Sequence, residues 1–428
     1  MPDTLDDWLI HLEALHPRGA AGIELGLERV AAVSRTLGQQ LDVPVITVAG
    51  TNGKGSTCAM LERILDCAGY RVGLYTSPHL LAHNERIRIA GQPVDSMALC
   101  RSFARVEAAR GATALTYFEF GTLAAWECFG QAAVDAIILE VGLGGRLDAV
   151  NIYASDCAIV TAIDLDHTEY LGSTREAIGF EKAGIFRTGK AAVCADPDPP
   201  HSLVEHARTI GADLRLIGRD FGYQGQDGQW QFWSGQGAAI LRRSALAHPA
   251  LRGATQLQNA SAALAALVAL QDRLPVAMQD IRRGLLEVEL PGRFQVIPGR
   301  PSVILDVAHN PQAARVLAEN LGSQRGDGAS HLRTWAVFGM LRDKDVAAVV
   351  RVLADRVSDW LPCSLSGMRA ATAEELALAL AGEGIVAPLR FASPLAAFRH
   401  AQANASDDDR ILVFGSFQTV ADVLREVA

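Results

Sequence analysis

Lys54 stands inside a glycine-rich run, VITVAGTNGKGS at Val45–Ser56, which follows an apolar stretch and precedes a helical pattern. Such a turn lets backbone N–H groups approach a phosphate, adds the partial positive charge of a helix N-terminus, and supplies the full charge of the lysine. The chemistry it suits is binding of nucleotide phosphates; the bland alternative is a glycine turn that merely joins strand to helix. The run departs from the strict G-x-x-x-x-G-K-[ST] pattern, because Gly50 lies three residues before Gly53 and Gly55 separates Lys54 from Ser56. In the common P-loop the hydroxyl directly after the lysine ligates Mg²⁺, and Gly55 has no side chain. The metal therefore needs other ligands. Glu140 ends the apolar run VDAIIL, Ser77 lies in YTSPHL and His167 in DLDHTEYLG. All three follow expected strands, at the sheet edge where open α/β folds bind ligands. A post-strand serine alone reads as a turn residue and a lone histidine as a structural group; together, beside a P-loop, they read as a Mg²⁺ site. The glycines of EVGLGGRLD, Glu140–Asp148, let a loop fold close to a substrate.

Positioning these residues requires a sheet. Short β-branched runs at Val43–Val48, Arg71–Tyr75, Val134–Val141, Cys157–Ile163 and Ala191–Cys194 read as buried strands. Helical patterns such as Ser56–Ala68, Met97–Ala109 and Arg175–Phe186 alternate with them, which predicts a parallel sheet with helices on both faces. The Gly- and Gln-rich stretch Gly222–Gly237 reads as an antiparallel hairpin or a loop. LPGRFQVIPGRP, Leu290–Pro301, looks like a domain junction. After it come strand Val303–Val307, helix Ala313–Leu321, strand Thr334–Phe338, helix Asp345–Val357, helix Ala373–Ala381, strand Ile411–Phe414 and a final helix. The expected division is a domain over 1–290, a linker over 291–300 and a smaller α/β domain over 301–428.

Composition narrows the class. With 428 residues, 49% of them apolar and 20% charged, the chain is globular and long enough for two or three domains. A net charge of −9 argues against a broad nucleic-acid-binding face. The acidic, mixed N-terminus lacks a signal pattern, and no apolar stretch approaches the ~20 residues of a membrane span. Seven cysteines without a C-x-x-C indicate neither a disulfide framework nor a zinc ribbon. A cytoplasmic protein without nucleic-acid or membrane partners, acting as a monomer, is expected.

GTNGKGS, TSPHL, TYFEFGT, LEVGLGGRLDAVN, DHTEYLG, EKAGI, LPGRFQ, DVAHNP and FGSF follow one another in an order that resembles the folylpolyglutamate synthases, and specifically the bacterial bifunctional dihydrofolate synthase/folylpolyglutamate synthase pattern within the Mur ligase superfamily. The likeness runs from Leu25 to the final helix. It implies an N-terminal P-loop, Mur-ligase-like ATPase domain and a smaller C-terminal Rossmann-like α/β domain, with the active site between them. By matching motif, Thr51, Asn52, Gly53, Lys54, Gly55 and Ser56 would hold ATP phosphates. Ser77, Glu140 and His167 would ligate Mg²⁺, the same three residues chosen above. Asn259 would contact adenine, Arg293 would reach a phosphate, and Asp306 and His309 would contribute to nucleotide and glutamate binding. Ser416 would lie near the amino-acid site. The pterin would meet Glu24, Leu25, Gly26 and Leu27, Thr116, Tyr117, Phe118 and Glu119, and Leu147, Asp148 and Ala149. Tyr117 and Phe118 offer flat apolar surface and Glu119 and Asp148 hydrogen-bond acceptors, although both aromatics could instead be core residues. Val150 stands where the family commonly has threonine.

The resemblance implies ATP-dependent joining of L-glutamate to dihydropteroate and to tetrahydrofolates through an acyl phosphate. The catalytic set would be Lys54, Glu140, His167, Lys182, Arg293 and His309. Lys182, in EKAGI, would be carbamylated: an ammonium beside Mg²⁺ is electrostatically awkward, and burial favours the neutral amine that CO₂ addition needs. Its alternative is an ordinary lysine paired with Glu181 or bound to phosphate. Two other functions share the P-loop. A Mur ligase acting on a UDP-muramyl precursor would need a further N-terminal domain, and a switch or transport ATPase has no use for DVAHNP.

Overall fold

The structure, a computed structural model, describes residues 2–16, 22–226, 228–237, 240–323 and 333–427. The chain forms two compact units, residues 1–250 with 257–288, and residues 251–256 with 289–428.

The first unit is built on strands β1 (Val45–Ala49), β2 (Val72–Tyr75), β3 (Ile87–Ile89), β4 (Gln92–Pro93), β5 (Ala136–Glu140), β6 (Cys157–Val160), β7 (Ala191–Cys194) and β8 (Asp213–Leu216). They lie in the order β4-β3-β2-β5-β1-β6-β7-β8. VITVA and AIILE are buried at every residue, as strands covered on both faces must be. β1 runs parallel to β5 and β6, pairing Val48 with Glu140 and Ala49 with Val160. β2 runs parallel to β5, pairing Tyr75 with Leu139. The register thus ends the strands before Gly50, Ser77 and the loop after Glu140 side by side. The antiparallel edge strands β3 and β4 are an addition to the expected sheet.

Among the described residues these strands are accompanied by α1 (Leu5–Leu15), α2 (Glu28–Leu37), α3 (Lys54–Cys67), α4 (Ser96–Arg110), α5 (Tyr117–Ala132), α6 (Thr168–Leu171), α7 (Arg175–Ala183), α8 (His201–Ile210), α9 (Gln256–Ala269) and α10 (Met278–Glu287). In α9 Ala260, Ala262, Ala263, Ala265 and Ala266 are wholly enclosed, the arrangement expected of a core helix. The glutamine-rich stretch is a hairpin, β9 (Phe221–Gln226) with β10 (Gln229–Ser234), and β11 (Leu241–Ala247) adds a third antiparallel strand.

The second unit has β12 (Gln295–Ile297), β13 (Ser302–Asp306), β14 (Thr334–Phe338), β15 (Asp359–Pro362) and β16 (Arg410–Phe414), ordered β12-β13-β16-β14-β15. All neighbours are parallel except β12 and β13. Its helices are α11 (Pro311–Ser323), α12 (Val346–Leu353), α13 (Ala373–Gly382), α14 (Pro394–Asn404) and α15 (Phe417–Val427). Phe338, Trp360 and Phe414 anchor its core with ring centroids 5.0–6.0 Å apart. The stretch expected as linker carries β12. Phe294 N–H donates to Asp306 Oδ2 at 2.9 Å, which draws the segment onto the sheet edge. The helix expected over Asp345–Val357 ends at Leu353 and continues as a 3₁₀ turn.

Candidate active site

The glycine-rich turn joins β1 to α3. Gly53 caps α3 with φ of 87°, and a Cβ there would lie 2.5 Å from Oδ1 of Asn259. The left-handed φ favours glycine, and the close approach brings the expected adenine contact of α9 onto the loop. Thr51 N–H donates to Ala162 O at 2.6 Å and Thr51 Oγ1 donates to Asp164 O at 3.0 Å, while Thr161 Oγ1 donates to Asn52 O at 2.6 Å. The loop is therefore fixed by the segment after β6. Lys54 Nζ donates to Gly50 O at 2.9 Å and Thr51 O at 3.3 Å. Its ammonium is held over the turn, where a phosphate oxygen can replace those carbonyls. Gly55 passes through the first turn of α3 without a side chain, and Ser56 is buried there.

Glu140 ends β5 in a buried position, and its Oε2 accepts the backbone N–H of Ser77 at 3.2 Å. Two of the three expected metal ligands are thereby in contact. His167 begins α6 with φ of 50°, its N–H donating to Asp166 Oδ1 at 2.9 Å. A carboxylate, a hydroxyl and an imidazole are the donor types, mostly oxygen, that suit Mg²⁺ or Mn²⁺. Among the described residues no three or more His, Cys, Asp or Glu form a metal cluster.

Lys182 lies on α7 and is buried. Glu181 is not its partner, since that carboxylate accepts from Arg146 Nη2 at 2.8 Å and Nε at 3.2 Å. Burial, followed by the Lys54 charge, pulls the Lys182 ammonium down to about 7, against the opposing pull of Asp166 and Asp148. Lys182 therefore shares the P-loop's electrostatic environment and is poised to be neutral.

The three segments expected around a pterin are joined to one another. Gly26 N–H donates to Leu147 O at 3.3 Å. Arg29, which sequence reasoning missed, is hydrogen-bonded through Nη1 to Glu24 Oε1 and through Nη2 to Glu24 O at 2.9 Å and Glu119 Oε1 at 3.0 Å. Glu119 and Asp148, expected as acceptors for a ligand, are first of all structural. Glu119 Oε2 accepts Thr116 N–H at 2.7 Å while Thr116 Oγ1 accepts Glu119 N–H, a capping box at the start of α5. Asp148 is buried, accepts from Leu143 N–H at 2.8 Å and Val150 N–H at 3.1 Å, and is pushed up to about 7 by burial. Tyr117 and Phe118 are half-buried and not closed into the core. Tyr117 Oη bonds His83 Nδ1 at 2.8 Å, and Phe118 packs on Tyr75 with centroids 5.7 Å apart.

In the second unit Asp306 ties two motifs together, Oδ2 accepting from Phe294 and Oδ1 from Ala308 N–H at 2.7 Å; burial raises its pKa. His309 Nδ1 lies 2.8 Å from Val307 O, so Nδ1 carries the proton. The Arg293 guanidinium sits 4.9 Å from the Phe417 ring centroid, and the His309 ring lies 6.4 Å from the same ring. Arg293, Asp306 and His309 are thus gathered, with Phe417, the last residue of FGSF, as a platform to which the sequence reading gives no role. Ser416 caps α15, its Oγ accepting Thr419 N–H at 3.0 Å and meeting Thr419 Oγ1 at 2.7 Å.

Comparison with known proteins follows this division. The model of the Mur ligase middle domain matches residues 48–267, and that of the Mur ligase, glutamate ligase domain matches residues 292–417. The chain is 46% identical to the dihydrofolate synthase/folylpolyglutamate synthase of Escherichia coli (strain K12) over 425 residues, covering 99% of this chain and 95% of that protein. It is similar to the structure of E. coli FolC in complex with DHPP and ADP, with TM-score 0.91 and 45% identity over 100% of this chain and 99% of that one. It also resembles a bifunctional folylpolyglutamate synthase/dihydrofolate synthase with Mn, AMPPNP and L-glutamate bound, with TM-score 0.89 and 45% identity over 99% and 98%.

Proposed function

The chain belongs to the dihydrofolate synthase/folylpolyglutamate synthase family of Mur ligases, and on that premise we propose that it joins L-glutamate to dihydropteroate, giving dihydrofolate, and to tetrahydrofolates, giving polyglutamates, at the expense of ATP. The observation that carries this reading is the convergence of a lysine-bearing phosphate loop with the Glu140–Ser77 pair and a buried, electrostatically depressed Lys182.

A carboxylate is a poor acyl donor. Its oxygen attacks the γ-phosphorus, the bond to ADP breaks, and an acyl phosphate results. Lys54 leaves the loop carbonyls for the phosphate and offsets the charge that develops there, and Arg293 serves the same end. Ser77, Glu140 and His167 would hold Mg²⁺, which would supply further positive charge at the phosphate oxygens. The neutral amine of glutamate then attacks the acyl carbon, a tetrahedral intermediate collapses, and phosphate departs. Thr51, Asn52, Gly53, Gly55 and Ser56 hold the phosphates, Asn259 the adenine and Asp306 the nucleotide, with His309 and Ser416 serving glutamate. Lys182 acts as its carbamate: the ammonium loses a proton, the neutral Nζ adds to CO₂, forming an N–C bond and releasing a second proton, so that a cation becomes an anion able to orient the metal. Glu24–Leu27, Thr116–Glu119 and Leu147–Ala149 receive the pterin. The enzyme works as a cytoplasmic monomer on these small molecules.

ADP release measured with dihydropteroate or tetrahydrofolate, each with and without L-glutamate, tests the proposal. Both acceptors should support glutamate-dependent release. Extension of folates with dihydropteroate left untouched at saturating ATP and glutamate would remove the bifunctional reading.

A further inference from the structure

We propose that Arg29 is a positioning residue that sets affinity for the pterin acceptor, an inference that rests on the function above and deepens it. Arg29 lies in the first turn of α2, and one nitrogen, Nη2, donates both to the backbone carbonyl of Glu24 at 2.9 Å and to the carboxylate of Glu119 at 3.0 Å. Nη1 holds the Glu24 carboxylate at the same time. The rigid guanidinium fork is suited to this, and the point charge of lysine is not. Glu119 has little exposure, 3%, and its other oxygen accepts the Thr116 N–H. The arginine therefore locks the chain entering α2 onto the N-terminal end of α5. Gly26 N–H, donating to Leu147 O at 3.3 Å, carries the lock to the third segment.

Without the guanidinium, the Glu24 carboxylate, which also meets His16 Nε2 at 3.0 Å, would face the buried Glu119 carboxylate with no cation shared between them. A buried carboxylate stripped of its partner changes protonation state or moves. Either response shifts Glu24–Leu27 relative to Thr116–Glu119, and with them the surface that receives the pteridine ring. The phosphate loop is anchored by Thr161 and Ala162 instead, so ATP binding should not follow.

The test is steady-state kinetics on the full chain for wild type, Arg29→Met, Arg29→Lys and the double variant Arg29→Met/Glu119→Gln, each substrate varied in turn. Arg29→Met should raise KM for dihydropteroate and tetrahydrofolate about tenfold or more, as loss of binding made equally in ground and transition states does. KM for ATP and glutamate should stay within about twofold and kcat within about threefold of wild type. Arg29→Lys should fall between wild type and Arg29→Met. The double variant, freed of the buried uncompensated charge, should regain thermal stability, while the pterin-selective rise in KM of Arg29→Met itself separates positioning from mere folding. Wild-type pterin KM in Arg29→Met, or equal losses for all substrates, would overturn the inference alone. A wild type that uses neither acceptor would remove the function and this inference together.

Discussion

Replacing Glu140 by glutamine is expected to lower turnover about 100-fold or more, and His167→Ala to do the same, the loss typical of groups that stabilise charge in a transition state. Glutamine is nearly isosteric and keeps an oxygen for the Ser77 N–H now 3.2 Å from Glu140 Oε2, so the strand end should survive while the anionic charge is lost. Gly55 cannot provide the hydroxyl ligand of the common P-loop, which leaves the metal dependent on residues at the strand ends. At His167 the backbone has φ of 50°, a conformation costing an alanine roughly 1–2 kcal/mol. The thermal midpoint of that variant should therefore be recorded beside its rate. Turnover near wild type in both variants across a magnesium titration would remove the metal assignment.

Lys182→Ala should lose activity to a comparable degree, about 100-fold, and a short-chain carboxylic acid in the buffer should restore part of it by standing in for the carbamate. Two observations motivate this. Lys182 is buried without Glu181, which is bonded to Arg146, and its ammonium is pulled to about 7 by burial and by Lys54. An exposed lysine is neutral in roughly one molecule of a few thousand at pH 7, whereas this one is neutral in a large fraction. Below pH 7 the amine protonates and CO₂ addition should fall, so carbon-13 incorporation from labelled bicarbonate should drop as pH is lowered through that value. A bare ammonium at Lys182 in active, CO₂-equilibrated protein would refute the modification.

The parts of the fold read most directly from sequence are those with uninterrupted local signals. VITVA and AIILE announce central strands, and the turn between VITVA and the helix carries its glycines where the backbone turns left-handed. Asp359–Pro362 was invisible as a strand because its ends, Asp and Pro, read as a turn. It is the last strand of its sheet, where a missing N–H is tolerated. Helix α14 carried a readable start that was overlooked: Ser393 caps it and Pro394 opens it. In the site, Glu140 and Ser77 come together because parallel register alone places those strand ends side by side. Glu119 and Asp148, expected to accept from a pterin, also hold their own segments in place. T-x-x-E at Thr116–Glu119 is a capping-box signature, and an aspartate two residues before a turn N–H commonly bonds it. Arg29 was harder to see, because its partners lie in Glu24, five residues back, and in Glu119, across the unit.

The acyl-phosphate route is tested most directly by following an oxygen atom. Dihydropteroate labelled with oxygen-18 in its carboxylate is incubated with the enzyme, ATP, Mg²⁺ and L-glutamate, and both products are analysed by mass spectrometry. The carboxylate oxygen that attacks the γ-phosphorus must leave with the phosphate. Inorganic phosphate carrying one labelled oxygen for each dihydrofolate formed is the expected result. Unlabelled phosphate accompanying ADP, or ADP release with no dihydrofolate, would contradict the account.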